Sequence, residues 1–71
     1  MTRQQVALEC RRESLASRTP MYICAYEIVC RICEQAASDE AALQELNSIS
    51  MKSITMAIKS VFDRYAMKLA V

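Results

Sequence analysis

Thr19-Pro20-Met21-Tyr22-Ile23-Cys24-Ala25-Tyr26-Glu27-Ile28-Val29-Cys30-Arg31-Ile32-Cys33-Glu34-Gln35-Ala36-Ala37 is the stretch on which the fold turns. A threonine can accept the N-cap hydrogen bond, and a proline at the first helical position gives up no donor that the helix needs. The residue before a proline is pushed out of the α region, so any preceding helix ends there. One helix therefore closes before Thr19 and another runs from Pro20 to about Ala37. Its polar residues Glu27, Arg31, Glu34 and Ser38 recur every three or four positions and form a single stripe. The remainder, Met21, Tyr22, Ile23, Cys24, Ala25, Ile28, Val29 and Ile32, is expected to be covered. A helix apolar on most sides belongs at the centre of a bundle or in a subunit interface.

On the N-terminal side, Thr2 followed by Gln5 fits a capping box, which predicts a first helix from Arg3 to about Ser17. Its face is mixed, with Val6, Leu8, Cys10 and Leu15 against Arg11, Arg12 and Glu13. On the C-terminal side, Ser38-Asp39-Glu40 supplies a cap and then acids in the first turn, where the helix dipole favours them. A short third helix, Asp39 to about Leu46, is expected. Met51, Ile54, Ile58, Val61, Phe62, Tyr65 and Leu69 then repeat at helical spacing, predicting a helix over 51–69. At about 100° per residue, Ala42, Leu43 and Leu46 project roughly 110° from the centre of that stripe. A straight helix could not bury both, so the reading sets a break at Asn47-Ser48-Ile49-Ser50. The fold class is all-α: a small bundle of three or four helices in one domain, with helix 20–37 central and helix 51–69 along it.

Composition agrees with that class. Among 71 residues there is no glycine, no histidine, no tryptophan and one proline. Glycine is the default wherever φ must be positive, so tight hairpins and glycine-rich phosphate loops are excluded. Apolar residues make up 54% of the chain. A chain this short buries only about 60% of the surface it exposes when unfolded, and its core supplies no more than roughly 3–5 kcal/mol. The apolar excess predicts a homo-oligomer. No stretch reads as a membrane span, because Met21–Cys33 is interrupted by Glu27 and Arg31 and is shorter than the ~20 residues a bilayer needs. The opening residues lack the apolar region of a signal peptide, so the expected location is cytoplasmic and the four cysteines are expected as thiols.

Cys30-Arg31-Ile32-Cys33 is a CxxC, and Cys10 and Cys24 bring the thiols to a zinc-like number. On one helix, however, Cys24 points about 120–180° away from Cys30 and Cys33, so one ion cannot reach all of them. A thioredoxin-type pair sits at a helix N-terminus, whereas this one lies well inside its helix. The cysteines are read as small buried hydrophobes, with no metal and no cofactor. Histidine, the usual general base near neutral pH, is missing. Glu27, Glu34, Asp39 and Glu40 could be posed as paired carboxylates, but acids on a polar helix face are ordinarily solvated. No catalytic residue is assigned, and the chain is read as no enzyme.

Two surfaces remain as candidates. Met56 and Met67 line up on the side of the last helix opposite its apolar stripe, and methionine is over-used on adaptable binding surfaces. They are the candidate contact for a protein partner. Arg11-Arg12, the only doublet of bases, is the candidate nucleic-acid contact. The second helix is too apolar to enter a major groove, and the net charge of +1 gives weak overall attraction to phosphate. Charge is nevertheless segregated: residues 1–19 carry +2, 20–37 carry −1, 38–50 carry −3 and 51–71 carry +3. Basic ends are thus expected to pack near the acidic middle, within one chain or across a dimer.

In size, lack of glycine, short capped helices and cysteine content, the chain resembles the small helical accessory proteins of lambda-like temperate bacteriophages. That resemblance is one of general character and transfers no residue. It implies a regulatory protein that acts by binding a host or phage protein, often as an oligomer. The expected function is a noncatalytic protein–protein interaction or regulatory module. The alternative is a small nucleic-acid-binding regulator using the basic residues of the first helix.

Overall fold

A computed structural model describes all residues, 1–71, and contains four helices: α1 (Arg3–Ala16), α2 (Pro20–Gln35), α3 (Asp39–Lys52) and α4 (Met56–Ala70). The lack of glycine is visible in how they are joined. Residues 17–19, 36–38 and 53–55 form the linkers, and no residue has a positive φ. Each of the first three helices instead ends on an extended residue, Ser17, Ala36 or Ser53, with ψ of 145°, 146° and 134°. An extended C-cap followed by an extended Ser or Thr N-cap turns the chain without the left-handed step that favours glycine.

The caps largely follow the sequence. In the capping box Gln5 N–H donates to Thr2 Oγ1 at 3.2 Å, and Thr2 N–H donates to Gln5 Oε1 at 2.9 Å. Ser38 Oγ accepts from Ala41 N–H at 3.1 Å, and Thr55 Oγ1 from Ile58 N–H at 3.4 Å. Thr19 occupies the N-cap of α2, but its side chain accepts no cap bond; Pro20 sets that start instead.

The expected break at Asn47-Ser50 is not there. α3 runs on to Lys52 and the chain turns at Ser53-Ile54-Thr55. The buried stripe of α3 is Ala42, Leu46 and Ser50, so it continues in phase through a polar residue that a hydrophobic pattern cannot register. Ser50 is 2% exposed, and its hydroxyl donates to Asp63 and accepts from Lys59 Nζ at 3.0 Å. With the turn displaced, Met51 and Ile54 fall outside the core stripe of the last helix. Ile54 stands 99% exposed at the turn. The inward face of α4 is Val61, Phe62, Tyr65, Ala66 and Leu69, with Ile58 packed against the core from a half-buried position.

Two antiparallel hairpins result, α1 against α2 and α3 against α4, and α2 touches all three other helices. Asp39 Oδ1 accepts from the backbone N–H and the guanidinium of Arg3, and the terminal ammonium of Met1 donates to the Lys68 carbonyl at 2.7 Å. The starts of α1 and α3 and the end of α4 therefore meet at one end of the bundle. Oppositely charged blocks pair within the chain at Arg3–Asp39 and Arg11–Glu34, whereas Lys68–Glu9 joins the two basic ends. One core cluster joins Val6 and Cys10 of α1, Ala25, Val29 and Cys33 of α2, Ala42 and Leu46 of α3 and the inward face of α4. No helix is long and apolar enough to cross a membrane.

α2 is central, but it is not covered on every apolar side. Met21, Cys24 and Ile28 are exposed, because α1, α3 and α4 together occupy only the side of Ala25, Tyr26, Val29, Cys30, Ile32 and Cys33. On α1, Val6 and Cys10 turn inward while Leu8 and Leu15 face outward.

Candidate functional site

Met56 and Met67 lie on the outward face of α4, 77% and 68% exposed. Helical spacing puts them on one side, and Val61, Phe62 and Tyr65 on the other take the core, which leaves both sulfurs free of the fold. Between them a shallow depression of about 420 Å³ is lined also by Lys59, Ser60, Asp63 and Arg64. Lys59 Nζ meets Asp63 Oδ2 at 3.3 Å, and the Ser50 hydroxyl donates to the same carboxylate. These two donors, Ser50 foremost, hold the Asp63 carboxyl below its ordinary range. Arg64 forms no ion pair. Met51 and Ile54, expected in the core stripe of the last helix, stand exposed beside the α3–α4 turn. Residues 46–62 contain Lys52 and Lys59 and no acid.

Arg11 and Arg12 differ in situation. The Arg11 guanidinium crosses to α2, donating to Glu34 Oε1 at 2.5 Å and lying 3.7 Å from Cys30 Sγ. The Cys30 thiol in turn donates to Glu34 at 2.8 Å. Donation from Cys30 and then from Arg11 keeps the Glu34 carboxyl below its usual range. Clefts of about 490 and 510 Å³ flank this bridge along the α1–α2 seam, one reaching Leu15, Glu27 and Arg31, the other Arg3 and Leu8. Arg12 is exposed and makes no ion pair. Half of the candidate nucleic-acid doublet is thus already engaged by a carboxylate. Arg3 is engaged in the same way by Asp39.

The thiols divide three to one. Cys10, Cys30 and Cys33 are buried and Cys24 is exposed, so the expectation of four buried cysteines fails at Cys24. Burial pushes the Cys10 thiol up to about 12 and Cys33 up to about 11, and raises Cys30 as well. Nucleophilic thiols have lowered pKa values, so this environment suits packing. No group of three or more His, Cys, Asp or Glu side chains converges as a metal site would require. Among the carboxylates posed as a pair, Glu34 and Asp39 are each held by an arginine, while Glu27 and Glu40 stand exposed. Comparison with known families, with curated proteins and with solved structures finds no match to this chain.

Proposed function

We propose that this chain is a noncatalytic protein–protein interaction module that acts as an oligomer and presents the methionine face of α4 to a second protein. The observation that carries the reading is the grouping of Met51, Ile54, Met56 and Met67 on the α3–α4 hairpin, all largely exposed while the core beneath them is complete. Unbranched, polarizable methionine side chains adapt to a partner's surface at low cost. Exposed large apolar side chains concentrated on one hairpin of a small protein favour an interaction site. A phage-encoded modulator of host or phage development, the role implied by the general resemblance, is the biological form of this proposal.

Photo-crosslinking amino acids placed at positions 56 and 67 in the source cells test it. Capture of the same protein from both positions, and not from position 12, is the expected result. Absence of any adduct from the α4 positions counts against the methionine face. For the alternative, binding of random duplex that weakens steeply with salt and is lost in Arg12→Ala would favour nucleic acid.

A further inference from the structure

The self-association proposed above still lacks a surface, and α2 supplies one. At about 100° per residue, Met21, Cys24 and Ile28 fall within about 60° of one another on its outward side. All three are exposed, and Leu15 of α1, 83% exposed, shares a cleft with the neighbouring Glu27 and Arg31. Three charged side chains belong to α2. Glu34 is taken by Arg11, whereas Glu27 and Arg31 are exposed and join no ion pair within the chain.

We infer that this face is the interface between two copies of the chain, packed as antiparallel α2 helices about a two-fold axis near Ile28. A two-fold contact is isologous: whatever side chain i offers to j, j offers to i. A face therefore pairs with itself well only if its charges are of both signs and lie to either side of the axis. Glu27 and Arg31 meet that condition, because each Glu27 is brought opposite the partner's Arg31 and each Arg31 opposite the partner's Glu27. Ile28 then packs on its own copy at the centre, with Met21 and Cys24 further out and Leu15 at the rim. The α3–α4 turn fails the same condition. Lys59 is already held by Asp63, so the charges left unpaired there, Lys52 and Arg64, are of one sign, and a two-fold contact would set base against base. Charge thus separates the two apolar surfaces: the balanced one for a second copy, the basic one for a different protein. This assignment rests on the oligomeric reading above.

Sedimentation equilibrium of the wild type and four variants tests both levels. The wild type is expected as a dimer of the 8.0 kDa chain. Ile28→Asp, Glu27→Arg and Arg31→Glu should each weaken the dimer by about tenfold or more, because each sets like charge or an unpaired carboxylate in the contact. The double exchange E27R/R31E should restore it. Cys24, the one exposed thiol, should link two wild-type chains through a short bismaleimide, and Cys24→Ser should abolish the product. Circular dichroism verifies that the variants keep their helices, and the rescue by the double exchange keeps the test decisive if Ile28→Asp unfolds. A wild-type chain that stays monomeric overturns the oligomeric reading and this interface together. A dimer of undiminished strength in all the single variants overturns the α2 face alone and leaves self-association standing.

Discussion

Tyr65 of α4 meets Tyr26 of α2 edge to face, with ring centroids 6.3 Å apart and planes at 80°, and this contact locks one hairpin onto the other. Tyr65 is 1% exposed, its ring also carries the Lys68 ammonium 5.3 Å from its centroid, and its hydroxyl faces Cys10 and Glu9 on α1. One side chain of α4 thus reaches both α1 and α2. Removing a buried aromatic ring costs about 3–5 kcal/mol, which equals the whole stability expected of so small a core. Tyr65→Ala is expected to be unfolded at room temperature by circular dichroism. Tyr65→Phe keeps the ring contact and should melt cooperatively below the wild type.

The two sides of α4 should separate in thermal melts. Phe62 is fully enclosed, Ile58 is half-buried against the core, and Met56 is free of it. The expected order of destabilisation is Phe62→Ala, then Ile58→Ala, with Met56→Ala near the wild type. A Met56→Ala midpoint below that of Ile58→Ala would show that the outward face had been misassigned.

Ser50 and Asp63 join the two helices of the second hairpin through a hydrogen bond from a buried hydroxyl. Ser50→Ala removes the principal donor that holds the Asp63 carboxyl low, so its pKa, followed by carboxyl NMR, should rise toward the usual value near ~3.9. Glu9, through Lys68, and Glu34, through Cys30 and Arg11, are depressed in the same direction. A carboxyl whose pKa is lower folded than unfolded contributes stability above its unfolded value, and that contribution is lost as pH falls through the folded one. Acid destabilisation should therefore begin below pH ~4.5 and be shallower in Ser50→Ala.

Alkali should act through the thiols. Cys10 and Cys33 titrate near 12 and 11 in the folded chain, above the ordinary ~8.5 of an unfolded cysteine. Their stabilising contribution is complete below the unfolded value. As pH rises from ~8.5 toward 11 it declines by up to about 1.4 kcal/mol per pH unit for each thiol, because only the unfolded state ionises freely. Urea midpoints measured across that range should fall, and should fall less in Cys10→Ala. At neutral pH a thiol reagent should modify Cys24 rapidly and the other three only on unfolding. Rapid reaction of Cys10 would contradict the packing of α1 on α4.

Much of the architecture was legible in the residues, and the limit of legibility is physical. Thr2 with Gln5, Ser38 ahead of two acids, and Pro20 act within a single turn of chain, so they set helix starts that tertiary context leaves in place. Absence of glycine left positive φ without its default residue, and every turn is made at negative φ. The outward placement of Met56 and Met67 follows from helical spacing against Val61, Phe62 and Tyr65. What the sequence left undetermined is burial on faces whose neighbours are distant in the chain. Ser50 continues the core stripe of α3 because its hydroxyl donates to Asp63 and accepts from Lys59, and no hydrophobic pattern marks a buried serine. Met51 and Ile54 match a core stripe in spacing, yet the turn at Ser53–Thr55 carries them into solvent. Helix α2 is apolar around most of its circumference, and only the docking of α1, α3 and α4 decided that Met21, Cys24 and Ile28 would be left uncovered. Local hydrogen bonding chooses a helix, whereas the face it buries is chosen by partners that local sequence does not contain.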